Sequence, residues 1–572
     1  MNKTQSHYWL RLALTLGVGM VTLSLAGGQA EAAFGPVGTD FRISSAGTDG
    51  DAARSALNAA VAYNQAANEY LVTWAADGLA ADNETEIFGQ RVSAAGAELG
   101  TDFRISNTGT DGDAARDALQ PAVAYNATAN EYLVTWQADG LATDEESEIF
   151  GQRVSAAGAE VGTDFRISNT GTDGDAARDA FTPKVAYNPT TNEYMVVFQA
   201  DGLATDGETE IFGQRVSAAG AELGTDFRIS SVGNDGDATR DSDNPGVAYS
   251  SAANEYLVIW SGDGLTIDGE SEVFGQRVSA AGAELGTDFR ISTVGTDGDV
   301  TRGAFTTSVA YNPTANEYLV TWEGDGLALD EEFEVFGQRV SAAGTELGTD
   351  FQISNVGTDG DAARDGFGPA VAYSSVANEY LVGFEGDGLA TDNETEIFGQ
   401  RVSAAGAELG TDFRISNVGT DGDAARDAFT AAVAFNPTAN EYLATWQADA
   451  LATDNDTEIF GRRIEGEPAP PPPPVDNAFT IGKLKHRTLS LTVPGAGVID
   501  VNDANASKKK LLLKHSSATA SGAGAVKVTL KLTTTAKRKL KQTGKVKVKA
   551  AITFTPTGGT ANTQTKGLKV KR

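Results

Sequence analysis

From residue 38 to residue 464 the apolar positions follow a period of two, not 3.6. In the first stretch four short runs stand out: Phe41–Ser44, Val61–Asn64, Tyr70–Trp74 and Ile87–Val92. Each is bounded by turns rich in Gly, Asn, Asp or Ala. Tyr70, Val72 and Trp74 fall on one face of the third run and Leu71 and Thr73 on the other. Both faces are apolar or neutral, which predicts strands covered on both sides. No run has the length and period of an amphipathic helix, so this region reads as all-β.

The same four runs return seven times at a spacing of 62 residues. The phenylalanine of Thr-Asp-Phe-Arg-Ile-Ser stands at Phe41, Phe103, Phe165, Phe227, Phe289, Phe351 (followed by Gln352 in place of arginine) and Phe413. A strict repeat of this kind buries its apolar faces against its neighbours. Four strands per unit and seven units predict a seven-bladed β-propeller of four-stranded blades. The array opens with Phe41–Ser44 and ends with Glu458–Ile464, so the N-terminal strand is expected to complete the last blade. An open solenoid is the alternative, but it needs distinct capping repeats, and none is evident.

Export and charge refine the picture. Residues 1–32 have a basic start (Lys3, Arg11), an apolar stretch from Leu12 to Gly28 and a small-x-small Ala30-Glu31-Ala32 site, the pattern of a signal peptide. No later segment is apolar enough to cross a membrane. There is no cysteine, which excludes disulfides and thiolate metal sites. A secreted or cell-surface bacterial protein, monomeric, is the expectation. The net charge of −34 hides a division. The last 97 residues hold 20 Lys and Arg against Asp476, Asp500 and Asp503, a net of +17, which leaves about −52 on the repeats. Such a field repels nucleic acid and attracts cations.

The pattern Val-Ala-Tyr-Asn, Asn-Glu-Tyr-Leu-Val-Thr-Trp, Ile-Phe-Gly-Gln-Arg-Val-Ser, Gly-Thr-Asp-Phe-Arg-Ile-Ser resembles repeats of exported bacterial surface proteins taken to form propellers. The resemblance covers residues 38 to 464 and implies no particular activity.

In a propeller the fourth-to-first and second-to-third connections share one rim. That rim receives Asp49, Asp51, Asp77, Asp82, Glu84 and Glu86, and in the next copy Asp111, Asp113, Asp139, Asp144, Glu146 and Glu148. Closely spaced carboxylates with a glycine turn suit calcium, although Thr-Asp-Gly-Asp is not an EF-hand loop. The competing reading is hydrated acids paired with arginines such as Arg54. Trp74 and its copies sit mid-strand and read as inter-blade packing. Arg91 and its copies read as paired arginines linking blades, and Asn68-Glu69 as hairpin chemistry.

The repeats contain no histidine and present nearly the same side chains seven times, whereas an active site needs asymmetry. Many like sites favour repeated weak binding of an extracellular glycan or protein ligand. The expectation is therefore a non-catalytic surface binding or adhesion protein. The alternative is a propeller hydrolase or lyase acting on extracellular polysaccharide.

The domains read as a signal peptide (1–32), the propeller (33–466), a proline-rich linker (467–476) and a basic Ig-like β-sandwich (477–572). The last resembles lysine-rich domains that end some exported bacterial repeat proteins. Its expected strands are Phe479–Leu484, Thr488–Val493, Ala525–Leu532, Lys545–Thr555 and Thr563–Lys571, with a helix at Thr535–Gln542 closed by Gly544. Alternation in Lys545-Val-Lys547-Val-Lys549 gives one cationic face, a candidate surface for an anionic envelope polymer.

Overall fold

The computed structural model describes residues 34–45, 55–77, 84–107, 117–139, 146–169, 179–201, 208–231, 241–263, 270–293, 303–325, 333–355, 365–386, 394–417, 427–449, 456–469, 475–505 and 511–572. The signal-peptide pattern and the loop acids Asp49, Asp51, Asp82, Asp111, Asp113 and Asp144 lie outside them. The chain divides into two compact units, Met1–Ala469 and Pro470–Arg572. Among the described residues no helix is long and apolar enough to cross a membrane.

The first unit consists of seven four-stranded antiparallel sheets, the arrangement of propeller-type repeats. In the first repeat β2 (Ala56–Asn64), β3 (Glu69–Ala76), β4 (Glu86–Ser93) and β5 (Phe103–Arg104) lie in that order. The leading strand β1 (Pro36–Arg42) is instead paired with Glu458–Glu465 and completes the last sheet, with Pro36 opposite Ile464 and Arg42 opposite Phe460. Arg462 stands where the other repeats carry Gln90 and its copies. It pairs with Asp40 at 3.2 Å and donates to the carbonyls of Gly38 and Ile415.

β3 is buried along its whole length, as two apolar faces predict. Trp74 is fully buried and packs with Leu443 and Ile459 of the last repeat, the inter-blade role expected of it. Innermost strands pack against one another in sequence order, and β2 closes the series against Ala428–Asn436. Asp102 accepts the Ser45 N–H at 2.6 Å and Asp40 the Asn417 N–H at 2.6 Å, one link between neighbouring repeats and one across the closure. Arg91 forks onto Glu69 at 3.0 and 2.8 Å and reaches the Ala157 carbonyl of the next repeat.

The second unit has a three-stranded sheet (Thr480–Lys485, Thr488–Val493, Gly524–Thr529) and a four-stranded one (Ser516–Ala520, Gly497–Asp503, Lys545–Pro556, Asn562–Lys571). A two-stranded piece joins Leu513–Lys514 and Lys531–Leu532. Leu489, Ile499, Val528, Val548 and Phe554 form its core. The helix runs Thr534–Thr543, capped by Thr533 and stopped by Gly544 at φ 68°. The strands Gly497–Asp503 and Ser516–Ala520 were not among those expected. In the first, Ile499 and Val501 alternate inward, but the intervening Asp500 and Asn502 make the segment resemble a turn.

Candidate active site

The central lumen opens at one end between seven bulges. Each innermost strand slips register near its start, as between Leu57 and Ala60, and the bulged residue is left-handed in every repeat. These residues are Asn58, Gln120, Thr182, Asn244, Thr306, Gly368 and Thr430. The backbone N–H so freed needs an acceptor. Where the second strand of the preceding repeat offers Gln or Glu, it finds one there: Thr182 donates to Gln137 at 3.0 Å, Asn244 to Gln199 at 3.1 Å and Asn58 to Gln447 at 2.7 Å.

That acceptor position is where the repeats stop being alike. It holds Ala75, Gln137, Gln199, Ser261, Glu323, Glu385 and Gln447. Two consecutive repeats therefore place carboxylates where others have an amide, a hydroxyl (Ser261) or a methyl group (Ala75). Glu323 Oε2 accepts the Gly368 N–H at 2.7 Å, and its Oε1 accepts the Thr306 hydroxyl at 2.9 Å. Glu385 Oε1 accepts the Thr430 N–H at 2.6 Å. Gly368 lies between the two acids, and a Cβ there would stand 2.9 Å from Glu385 Oε1. Those two spans and the width of one residue hold the facing oxygens within roughly 8 Å of each other.

Both glutamates are half-buried, and Glu385 lines the lumen, a cavity of about 500 Å³. Burial pushes the Glu385 carboxyl up to about 7, the Thr430 N–H opposes this, and the charge of Glu323 adds to it. Burial also raises Glu323, but two donors favour its ionised form, so Glu323 is the better anion of the pair.

An aromatic shelf adjoins them. Phe305 is opposite Glu323 in register, and Phe367 is opposite Glu385. The Phe333 ring lies 6.4 Å from that of Phe305 and 5.6 Å from that of Phe367. The position of Phe333 is Thr85, Ser147, Thr209, Ser271, Thr395 or Thr457 in the other repeats. Phe305 is 37% exposed, unusual for a large apolar side chain.

Of the anticipated rim acids, Asp77, Glu84 and Glu86 are buried and Asp139 is half-buried. Glu86 pairs with Arg104 at 2.7 Å, and Glu148 pairs with Arg166. Among the described residues no three His, Asp or Glu side chains converge as a metal site. Lys545, Lys547 and Lys549 are exposed along one face of their strand. Glu323, Glu385 and Phe333 were missed because strict repetition drew attention to constant positions. The usable signal was the reverse, a position that differs between otherwise matching copies.

No family model matches the chain, and no curated protein matches it. Solved structures similar to it include an α-L-arabinofuranosidase of Fusarium graminearum in complex with an iminosugar inhibitor. The two share 14% identity over 63% of this chain and 96% of that one, with a TM-score of 0.41. A polysaccharide lyase, an ulvan lyase bound to a GlcA–Rha3S unit, is similar at 10% identity, 77% and 96% coverage and a TM-score of 0.43. A puromycin hydrolase is similar at 13% identity, 80% and 62% coverage and a TM-score of 0.44. At this identity the likeness concerns the fold.

The expectation of a non-catalytic binding or adhesion protein is corrected by the site itself. The uniformity that argued against catalysis fails at the lumen mouth, where repeats five and six alone carry glutamate at the acceptor position.

Proposed function

We propose that this chain is an exported seven-bladed β-propeller enzyme that hydrolyses glycosidic bonds in an extracellular polysaccharide, joined to a basic Ig-like β-sandwich. The observation that carries the reading is the Glu323–Glu385 pair flanking Gly368. Glycoside hydrolysis uses two carboxyl groups about 5–9.5 Å apart, one protonated and one ionised. Glu385, pushed up to about 7, is protonated in about half of the molecules at neutral pH and would give that proton to the leaving oxygen. Glu323, held by two donors, is the base or nucleophile. The Phe305–Phe333–Phe367 shelf offers apolar faces for sugar rings.

Export is supported by the pattern of residues 1–32. Calcium at the loop acids is supported by the recurring Thr-Asp-Gly-Asp, and a melting temperature unmoved by millimolar calcium would remove it. The face of Lys545, Lys547 and Lys549 is proposed to hold an anionic polymer.

The test is reducing-end release from a panel of neutral and acidic polysaccharides. Glu385→Gln is expected to lower the rate roughly 10²- to 10⁴-fold at an unchanged melting temperature. The substitution installs the residue that Gln137, Gln199 and Gln447 already supply at that position, so a folding defect is not the explanation of a loss. Release from no polysaccharide, or a variant as fast as the parent, defeats the reading.

A further inference from the structure

We propose that the lumen is a subsite for an acidic sugar, with the carboxylate of a uronate seated on Lys184. The inference rests on the glycan-cleaving reading and adds to it a substrate class.

The lumen wall one tier in from the bulges is lined by small residues, Ala122 and Gly246 on either side of Lys184, and only Ala or Ser elsewhere. Lys184 is the one long side chain in that tier. It is exposed to the lumen, and the walls of that narrow space desolvate it, which lowers its ammonium pKa. No described residue pairs with it. Of the described residues lining the lumen, only Lys184 and Glu385 carry ionisable side chains.

An ammonium enclosed without a counter-charge is unfavourable. The fold does not require it, because Ala60, Ala122, Ala370 and Ala432 serve at the same position. An entering anion relieves the cost. Repeat three, which carries Lys184, lies three repeats round the closed series from Glu385, so the two side chains line opposite sides of the lumen. A volume of about 500 Å³ is within the range of small-ligand pockets. A sugar with its carboxylate on Lys184 then directs its opposite end toward the Glu385 carboxyl. A neutral sugar leaves the ammonium uncompensated.

The test is binding of methyl glucuronide, methyl glucoside and glucose 6-sulfate to the full chain by calorimetry at constant ionic strength. Glucuronide is expected to bind about tenfold or more tightly than glucoside, the gain from a hydrogen-bonded charge pair. Lys184→Ala is expected to erase that preference and leave glucoside binding unchanged. Equal affinities in the parent, or a preference that survives Lys184→Ala, overturns the proposal. Tighter binding of the sulfate than of the glucuronide overturns its assignment to a carboxylate. A Lys184-dependent preference in a protein that cleaves no polysaccharide upholds the subsite and defeats only the cleavage reading. Cleavage of neutral polysaccharide with Lys184 irrelevant defeats only the subsite.

Discussion

Glu323 and Glu385 belong to consecutive repeats yet face each other across a single residue. Gly368 donates its N–H to the first, and lacks the Cβ that would press on the second. The equivalent bulge residues Thr182, Thr306 and Thr430 are as left-handed as Gly368 but carry side chains. Glycine is therefore not needed for the backbone here; it makes room for a carboxylate.

Gly368→Thr should accordingly fold, since three other repeats hold threonine at this bulge. Its Cβ would displace Glu385 and disturb proton donation. Catalytic rate is expected to fall at least about tenfold, with a melting temperature within a few degrees of the parent. Full activity in this variant would show that the glutamate geometry is immaterial.

The rate should also depend on pH through Glu385. With its carboxyl pushed up to about 7, the protonated fraction declines as pH rises through that value. The rate is expected to drop across pH 6–8. A profile flat from pH 5 to 9 would assign the proton to another group.

Stability should move in the same direction. Burial raises Asp164, Asp226 and Asp412 to about 6, against an unfolded value near 4. Between those values the folded chain holds more protons than the unfolded one, so raising the pH through this window removes stability. Melting temperature is expected to be higher at pH 5 than at pH 7.5, as calorimetry would register.

Closure of the repeat array depends on few residues. Arg462→Gln restores the amide that other repeats carry but abandons Asp40, which burial already holds above the usual carboxylate range. A loss of about 1–3 kcal/mol is expected in urea unfolding. Deleting residues 34–45 should be far worse, because it strips Ile43 from the core and leaves Glu458–Glu465 an open edge.

In the second unit Lys545 lies opposite Lys571 and Lys547 opposite Lys569. Like charges paired across strands oppose folding. Lys569→Glu is expected to raise the melting temperature slightly while lowering the salt needed to elute the protein from a polyanion resin. An unchanged elution would separate these lysines from polyanion binding.

The order of strands and the pairing of β1 with the last repeat were legible because both follow from local period and from where the array starts and stops. Trp74 and Arg91 were readable for a similar reason, since their roles recur in every copy. The catalytic candidates were not. Glu323 and Glu385 are 62 residues apart, and Gly368 lies between them in the chain with no local signal that it separates their side chains. Lys184 is the only lysine between residues 33 and 466, but that it stands in an enclosed tier of small residues shows only in the closed fold.

What the amino-acid order alone determined, then, is the repeating unit and its β character, because alternation and turn chemistry act over a few residues. Which unlike residues meet at the lumen was decided only by closing the chain on itself. Closure brings equivalent positions of all seven repeats to one axis, where a single exchange of Gln for Glu, or Ala for Lys, changes the charge of a shared enclosed space.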